Sequence, residues 1–225
     1  MKILFLGTGA ADWPMEKPRF GDHRWCASAL INDDLLIDPG PCVPDAIYRY
    51  NVDIRKIKYV IFTHRHSDHF DEKTVEILTS AGTKLIEFSA GEEKQIGRYT
   101  VTATEANHPT CVPTVHFLID DGEKRIFYGL DGAWLLFSEV EEIKKKPVDL
   151  AVLDATVGNK KGDYRIFEHN NIRMVIEQKD SLEKYVRKFV ISHMAESLHD
   201  SHDILARQMK KENIETAYDG MVIEI

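Results

Sequence analysis

Three histidines and an aspartate fall within six consecutive positions of the segment THRHSDH, at His64, His66, Asp68 and His69. Neutral imidazole nitrogens and carboxylate oxygens form a ligand mix that suits zinc, manganese or iron. His64 and His66, two residues apart at the end of an apolar run, can point to the same side of an extended segment. Asp68 and His69 fall at the turn into a helix and would face a different point nearby. One segment can therefore serve two neighbouring cations, but it completes neither coordination shell alone.

Further candidate ligands follow apolar, strand-like runs elsewhere in the chain. His108 lies in EANHPT, Asp131 in IFYGLDGAW and His193 in KFVISHMAE. A single histidine or aspartate at the end of a strand is more often a solvated or capping residue, so none of the three is assigned by itself. The clustered segment differs, because like-charge repulsion and desolvation among its side chains require a cation to offset them. A metal site completed by several loops is therefore the favoured interpretation.

Short apolar runs alternate with turn signals along the chain, and there is no repeat or low-complexity tract. Strands are predicted over KILFLG, KYVIFT, TKLIEFS, YTVTATEAN, TVHFLIDDG, KRIFYGLDG, VDLAVLDAT, KFVISH and AYDGMVIEI. ASALIND and DLLIDPG are predicted to form a hairpin that turns at residues 32–34. Helices are predicted over CVPDAIYRYN, DEKTVEILTSAG, WLLFSEVEEIKKK, NNIRMVIEQKDSLEKYVR and SHDILARQMKKEN, with Asp71 and Ser201 as caps. This order indicates an α/β (α+β) sandwich with helices outside, formed by one domain over residues 1–225.

The charge of the chain limits its partners. There are 29 Lys and Arg residues against 37 Asp and Glu, and the formal net charge of −8 disfavours a broad nucleic-acid surface. Bound divalent cations would offset part of this charge locally, so a small anionic substrate is compatible with it. No apolar run approaches the roughly 18 residues that span a bilayer, and the opening MKILFLG is interpreted as a strand and not as a signal peptide.

The three cysteines, Cys26, Cys42 and Cys111, are far apart and form no CxxC pair. This spacing argues against a disulfide framework and against a zinc site built from cysteines. We therefore predict a reducing, cytoplasmic location, and the sequence is compatible with a homodimer.

The order of the motifs resembles that of a known superfamily. THRHSDH, NHP, YGLDGAW and SHM follow one another as in the metallo-β-lactamase superfamily. LGTGAADWP, ASALIND, LLIDPGP and AYDGM resemble the branch that contains the cyclic phosphodiesterase of phosphonate breakdown and is similar to the transfer-RNA 3′-processing endonucleases. The resemblance covers nearly the whole chain and is far more specific for the superfamily than for a substrate. It implies a four-layer αββα sandwich.

The resemblance also implies two divalent cations, zinc or manganese with iron as a third option, held by seven side chains. One ion would be bound by His64, His66 and His108, the other by Asp68, His69 and His193, and Asp131 would bridge them. Asp38 in LIDPG would orient a ligand, although a simple turn at the end of a strand explains it equally well.

Two such cations can hold a bridging hydroxide at neutral pH and clamp the substrate oxygens, which suits hydrolysis of a small or cyclic phosphodiester. Asp68 is placed in the catalytic centre as well as among the ligands. His169 in RIFEHNN is the candidate general acid, because the phosphodiesterase branch carries a non-ligand histidine there; an exposed loop histidine fits as well. Hydrolysis of an ester, lactone or thioester is the alternative reaction. A non-catalytic metal-binding or sensing protein is the alternative class, disfavoured because all seven ligand positions are filled.

The chain departs from the phosphodiesterase branch after its first strand. That branch often carries a cysteine-rich insertion with an extra zinc ion, whereas the stretch MEKPRFGDHRWCAS contains only Cys26, so this site is expected to be absent. Arg24 in the same stretch could reach a phosphate, but we expect His23 and Arg24 to lie in a surface loop. His199 and His202 could line the mouth of the site, although capping of the next helix is the simpler interpretation.

Two further motifs give little functional information by themselves. LGTGAA would need a glycine at position 12 for a dinucleotide-binding fingerprint, and that position is Asp12. Asp154 in LDAT could line the pocket, but we expect a buried strand end.

Overall fold

A computed structural model describes residues 1–14 and 23–225, and these residues form a sandwich of two mixed sheets with helices on both outer faces. The strands are β1 (Lys2–Gly7), β2 (Ser28–Ile31), β3 (Leu35–Ile37), β4 (Tyr59–Ile61), β5 (Lys84–Leu85), β6 (Glu93–Ile96), β7 (Tyr99–Glu105), β8 (Val115–Asp120), β9 (Arg125–Gly129), β10 (Leu150–Asp154), β11 (Phe189–Ser192), β12 (Ile214–Thr216) and β13 (Val222–Glu224). The helices are α1 (Val43–Arg49), α2 (Glu72–Ser80), α3 (Phe137–Lys145), α4 (Ile172–Leu182) and α5 (His202–Lys211).

The strand order is β13-β1-β2-β3-β4-β5 in one sheet and β12-β11-β10-β9-β8-β7-β6 in the other. Apolar side chains from the two facing surfaces, including Phe5, Ile31 and Phe117, fill a shared core. Helices α3, α4 and α5 pack on the outer face of the second sheet, and α1 and α2 pack on that of the first. The predicted αββα sandwich is therefore confirmed.

Parallel pairing aligns the strand ends that carry the site. β3 pairs in parallel with β4, and β10 pairs in parallel with both β9 and β11. Their carboxyl ends consequently lie at one edge of the sandwich, where ligands bind in open α/β sheets. Asp154 is the last residue of β10, and the residues that follow the other ends are Asp38, His64, Asp131 and His193.

Three of these residues have unusual backbone angles. Asp38, Asp131 and His193 have φ values of 60°, 58° and 60°, in the left-handed region that side chains other than glycine rarely adopt. Such strain costs on the order of 1–3 kcal/mol per residue and persists where the surrounding structure holds the residue in place. The turn after each strand thus aims a carboxylate or imidazole at the same point.

Most predicted elements are confirmed. The hairpin pairs Ala29 with Ile37 and Ile31 with Leu35, and Asn32 and Asp33 in the turn over residues 32–34 have positive φ values. Asp71 caps α2 as predicted, since its side chain accepts a hydrogen bond of 2.8 Å from the Thr74 backbone N–H.

Several predicted boundaries are wrong. The helix predicted from Trp134 begins only at Phe137, because Trp134 has a φ of 50° and Leu136 is extended. The strand predicted over TKLIEFS is reduced to β5. The polar strand β6 and the short β12 were not predicted, and both form edges of the second sheet. Ser201 precedes α5, but its side chain makes no capping hydrogen bond.

A buried ion pair connects the second sheet to α3 close to Asp131. Nδ1 of His116 in β8 lies 2.6 Å from Oε1 of Glu139, and Nε2 of His116 donates to the Leu130 carbonyl at 3.0 Å. Burial disfavours the charged imidazole, but the Glu139 carboxylate outweighs this effect and raises the pKa of His116 above its ordinary 6.5. Glu139 also accepts from the Leu136 backbone N–H at 2.8 Å, which fixes the start of α3.

We expect His116→Gln to lower the free energy of unfolding by roughly 3 kcal/mol near pH 6, because it leaves the Glu139 charge buried without its partner. A histidine whose folded pKa is raised stabilises the fold fully below its unfolded pKa of about 6.5 and loses this contribution as the pH rises through the folded pKa. The stability difference between wild type and variant should therefore shrink above pH ~6.5. Urea unfolding of both proteins across the pH range measures it, and a constant difference would contradict a charged His116.

Candidate metal centre

Three imidazoles converge from two segments at the edge of the sandwich. His64 and His66 follow β4, and His108 lies in the loop after β7. Nε2 of His108 lies 3.2 Å from Nδ1 of His66, and the His64 ring centroid lies 4.6 Å from that of His66 and 5.1 Å from that of His108. One ligand atom from each of the three residues lies within 4.8 Å of the others, which is a spacing that one metal ion can span.

Hydrogen bonds fix which nitrogen two of these rings offer. The Thr63 hydroxyl donates its single proton to Oδ1 of Asp38 at 2.9 Å, so it accepts from Nδ1 of His64 at 3.0 Å. Nδ1 of His108 likewise donates to the backbone carbonyl of Glu168 at 3.2 Å. Each ring therefore carries its proton on Nδ1 and presents the lone pair of Nε2 to the centre. Supporting contacts of this kind accompany metal-binding histidines.

A second group contains Asp68, His69 and His193. Nε2 of His69 lies 3.1 Å from Nε2 of His193 and 3.4 Å from Oδ2 of Asp68. Nδ1 of His69 lies 3.0 Å from Oδ2 of Asp38, which makes Nδ1 the donor to Asp38 and leaves Nε2 as the nitrogen that faces Asp68 and His193. Asp38 thus orients His69 directly and His64 through Thr63. The backbone at Asp68 packs directly against Gly40, where a Cβ would lie 2.0 Å from the Asp68 carbonyl oxygen, so a larger residue would not fit there.

Asp131 lies between the two groups. Its Oδ2 is 2.5 Å from Nε2 of His69 and 3.5 Å from Nε2 of His64, and its Oδ1 is 3.3 Å from Nδ1 of His193. One carboxylate therefore contacts side chains from both groups. This is the position that a bridging ligand requires.

An unsatisfied polar atom shows that the centre fits a cation. Among the described residues, Nε2 of His64 is a buried side-chain atom without a hydrogen-bond partner, and it lies 3.5 Å from Oδ2 of Asp131. Buried polar atoms are rarely left in this state unless an ion or water satisfies them. The donor set of imidazole and carboxylate is also that of divalent zinc, manganese or iron.

The protonation of the centre leads to the same conclusion. Burial lowers the pKa of His64 to about 2, so its ring is neutral and able to bind metal. Burial also opposes the charge of His193, but the Asp131 carboxylate and the contacts with Asp154 and Asp68 overcome it and raise the pKa of His193 to about 10. The buried carboxylates thus demand a positive charge nearby, which a divalent cation supplies in place of protons.

Asp154, at the end of β10, is fully buried as predicted, but it also organises the centre. Its Oδ1 accepts from the backbone N–H groups of Thr156 at 2.9 Å and Asn170 at 3.0 Å. Its Oδ2 accepts from the Thr156 hydroxyl at 3.0 Å, Nδ1 of His169 at 2.9 Å and the Asp131 backbone N–H at 3.2 Å. Neither Asp154 nor Thr156 was predicted to have this role, because a lone aspartate after a strand looks the same in sequence whether or not it contacts a site.

Asp154 could also form a metal-binding group with Asp131, His169 and His193, whose candidate ligand atoms lie within 4.8 Å of one another. A carboxylate offers about four lone-pair positions, and Asp154 already accepts five hydrogen bonds. It therefore has no free position for an ion. We interpret Asp154 as a residue that orients His169 and Asp131.

His169 faces an open cleft above the ligands. Because Nδ1 of His169 is directed at Asp154, its Nε2 is the nitrogen available to a bound molecule. Burial disfavours the imidazolium, yet the Asp154 carboxylate prevails and raises the pKa of His169 above 6.5. The cleft has a volume of about 230 Å³. Its walls are formed by Ala10, Ala11, Asp12, His66, Asp68, His108, Thr110, Asp131, Thr156, Arg165, Glu168, His169, His193 and Ala195.

The structure brings all seven predicted ligands and His169 together, and their assignment as ligands and acid stays a prediction. Arg24 does not lie in a surface loop: it is 5% exposed, and its Nη1 donates to the Thr8 hydroxyl at 2.6 Å and the Ala217 carbonyl at 2.8 Å. Arg24 does not line the cleft. His23 packs edge-on against Trp13.

The interpretation of the two late histidines as caps of α5 is wrong. His199 donates from Nε2 to the Ala155 carbonyl at 2.6 Å, and Nδ1 of His202 lies 2.9 Å from Nη2 of Arg24. Neither contact is with the backbone at the start of α5. Residues 15–22 of the cysteine-poor stretch lie outside the described residues, so the expected absence of an extra zinc site stays a prediction.

The four-layer sandwich and the histidine-rich centre at its strand ends define a protein with the metallo-β-lactamase fold. Among solved structures, the metallo-β-lactamase fold protein YhfI from Bacillus subtilis is similar, with a TM-score of 0.78 and 19% identity over 100% of this chain and 99% of that chain. A diphosphatase from the PhnP family has a TM-score of 0.75 and 16% identity over 100% of this chain and 97% of that chain. The fold expected from the motifs is confirmed.

Sequence comparisons cover less of the chain. The family model described as anti-Pycsar protein Apyc1 matches residues 1–72, a segment that includes His64, His66, Asp68 and His69. A UPF0173 protein of Pyrococcus abyssi is 32% identical over 109 residues, which are 41% of this chain and 49% of that protein. The chain thus spans about half the length of the curated relatives it matches. No helix among the described residues is long and apolar enough to cross a membrane.

Proposed function

We propose that this protein is a metal-dependent hydrolase that cleaves a phosphodiester bond in a small or cyclic anionic substrate. The observation that carries the proposal is the pair of ligand groups with Asp131 between them at an open cleft, with His169 beside them. One ion would be held by His64, His66 and His108 and the other by Asp68, His69 and His193. Zinc or manganese suits these donors best, and iron is the third option.

The chain's own side chains account for the proton transfers that this reaction needs. A pair of divalent cations, when bound, supplies a nucleophile from water at neutral pH and neutralises charge on the phosphoryl oxygens. His169 holds a proton at Nε2 for the leaving oxygen, while Asp154 fixes its ring through Nδ1. Asp68 lines the cleft and is both a ligand and a part of the catalytic centre. The likeness in fold to a diphosphatase supports phosphoryl chemistry.

We expect about two metal ions per chain by elemental analysis of protein purified without a chelator, because the donor atoms form two groups with the Asp131 carboxylate between them. Full occupancy at one ion per chain would restrict the site to a single group. Protein prepared in this way that carries no metal would contradict the site assignment.

On a substrate panel, we expect the metal-loaded protein to hydrolyse bis(p-nitrophenyl) phosphate faster than a thioester or a lactone. The reverse ranking would contradict the phosphodiesterase assignment without contradicting the metal site. A metal-loaded protein without hydrolase activity on any member would favour the binding or sensing alternative. The cytoplasmic location, the lack of a nucleic-acid partner and a homodimer remain part of this proposal.

A further inference from the structure

One guanidinium lies in the wall of the cleft. Arg165 belongs to a short 3₁₀ turn over Tyr164–Phe167, which ends two residues before His169. The cleft wall also contains Thr110, Glu168 and histidines from both ligand groups. Among the described residues that line the cleft, Arg165 is the single lysine or arginine. Within residues 1–14 and 23–225 it is therefore the one permanent cation of the cleft wall.

Asp163 fixes the orientation of this guanidinium. Its carboxylate accepts from the Arg165 backbone N–H at 3.0 Å, from Nε at 2.9 Å and from Nη2 at 2.8 Å. Within residues 1–14 and 23–225, Nη1 makes no hydrogen bond, and the side chain remains 30% exposed. We call this arrangement, in which one aspartate accepts from the backbone N–H, Nε and Nη2 of the arginine two residues later, the fork. The fork holds the Arg165 side chain in place and leaves Nη1 with free donors.

Besides the candidate ligands Asp68 and Asp131, the cleft wall contains two acidic residues, Asp12 and Glu168, and both have other partners. Glu168 accepts from the Thr110 hydroxyl at 2.6 Å. Asp12 accepts from the backbone N–H groups of Glu196 at 2.8 Å and Ser197 at 3.1 Å. Neither carboxylate occupies Nη1 of Arg165, although both add negative charge to the cleft. An anionic molecule entering it needs a positive group in addition to the metal centre.

The same fork occurs a second time, away from the cleft. Asp53 accepts from the Arg55 backbone N–H at 3.1 Å, from Nε at 2.9 Å and from Nη2 at 2.9 Å, again at the start of a 3₁₀ turn. The Asp-x-Arg sequence thus explains the local geometry of both forks. It does not explain why one of them stands beside His169. Arg55 is consequently a matched control for Arg165.

We propose that Arg165 is a specificity-determining residue that binds an anionic substrate by donating from Nη1 to a phosphoryl oxygen. This inference rests on the proposed function, and it names the residue that selects a phosphodiester over a neutral ester. The planar guanidinium suits phosphate oxygens, and its hydrogen bonds to an anion are stronger than those between neutral groups. Asp163 supplies the pre-organisation, so little side-chain freedom is lost on binding.

Calorimetric titration of the metal-loaded protein with inorganic phosphate tests the proposal. We expect Arg165→Gln to weaken phosphate binding about tenfold to a hundredfold, which is the usual effect of losing a hydrogen bond to a charged group. Arg165→Lys should restore part of the affinity because it keeps the charge without the fork. Arg55→Gln should leave it within about twofold of wild type, since an exposed ion pair contributes little. Metal content should be the same in all four proteins.

A second measurement is the ratio of kcat/KM for bis(p-nitrophenyl) phosphate to that for neutral p-nitrophenyl acetate, which should fall in Arg165→Gln. Phosphate binding as tight in Arg165→Gln as in wild type, or weakened equally in Arg55→Gln, would overturn the proposal. Loss of metal in Arg165→Gln would also overturn it, by making Arg165 structural. Failure of the proposed function looks different: the protein would bind phosphate through Arg165 and cleave no phosphodiester.

Discussion

Asp131→Asn should lower kcat/KM for the best phosphodiester on the order of a thousandfold or more and should remove at least half of the bound metal. The magnitude follows from losing several kcal/mol of charge stabilisation at the reacting group, since each 1.36 kcal/mol corresponds to about a tenfold change in rate. Asparagine keeps the shape of the side chain and the left-handed turn, for which it is well suited, but it removes the negative charge. The effect therefore reports on charge and not on packing.

The contacts of Asp131 explain why a single oxygen-to-nitrogen change has so large an effect. Its carboxylate lies within 3.5 Å of nitrogens of His64, His69 and His193, which belong to both ligand groups. Burial would raise the pKa of the Asp131 carboxyl, but the His193 and His69 rings outweigh it and hold that pKa well below 3.8. The residue is thus anionic throughout the physiological range and available to a cation.

Asp149→Asn provides the matched control for Asp131→Asn. Asp149 is also a buried carboxylate, but it accepts from the Arg125 backbone N–H at 3.0 Å and pairs with Arg187 at 2.9 Å. It does not line the cleft. This variant should lose stability while keeping its metal and its kcat. Wild-type metal content in Asp131→Asn, measured by elemental analysis, would refute the bridging role.

The convergence of the seven candidate ligands was predictable from sequence because of their density and their place at strand ends. The cluster consists of His64, His66, Asp68 and His69. Without a cation, like-charge repulsion and desolvation would make it energetically unfavourable. His108, Asp131 and His193 carry a weaker signal individually, and the order of the motifs supplied the rest. Parallel pairing then explains why strand ends far apart in sequence meet at one edge.

The residues that support the ligands could not be predicted in the same way. Arg165 illustrates the reason, since Asp163 and Arg165 form the same local fork as Asp53 and Arg55, and only one of the two lies in the cleft. Arg24 was misplaced because its partners Thr8 and Ala217 come from segments distant in sequence. Local patterns specify a turn or a cap, whereas contacts across the sandwich depend on the tertiary fold.

The sequence-based prediction missed the edge strand β6 for a related reason. β6 has the polar sequence EKQI, in which alternate residues face solvent on an edge strand. Charged side chains on edge strands prevent pairing with other chains, so these strands lack the apolar pattern that identifies central strands. Pairing with β7 stabilises β6 in the fold, and this long-range term is invisible in the segment itself.

His169→Ala should lower kcat by roughly 10²–10⁴-fold for a phosphodiester with an alkyl leaving group, the range usual for a lost general acid. The effect should be much smaller for a p-nitrophenyl leaving group, because that phenolate departs without a proton. Kinetics with both substrates measure this difference. His199→Ala is the control, since His199 is a partly buried histidine that donates to the Ala155 carbonyl and does not line the cleft.

Metal content separates the acid role of His169 from a ligand role. If His169→Ala loses metal, then His169 is a ligand, as its proximity to Asp131 and His193 would allow. If metal is retained and kcat falls equally for both substrates, His169 positions the substrate and is not the general acid. Unchanged kcat with both substrates would remove His169 from the catalytic centre.

Asp154→Asn should act on turnover through His169, because its Oδ2 holds Nδ1 of that ring at 2.9 Å. We expect a loss of about 10–100-fold in kcat, as for other residues that orient a functional side chain. Two groups that work as one unit are not additive, so the double variant should be no slower than His169→Ala alone. A product of the two single effects would mean that Asp154 acts mainly through its contacts with Asp131 and His193, which elemental analysis would then reveal as lost metal.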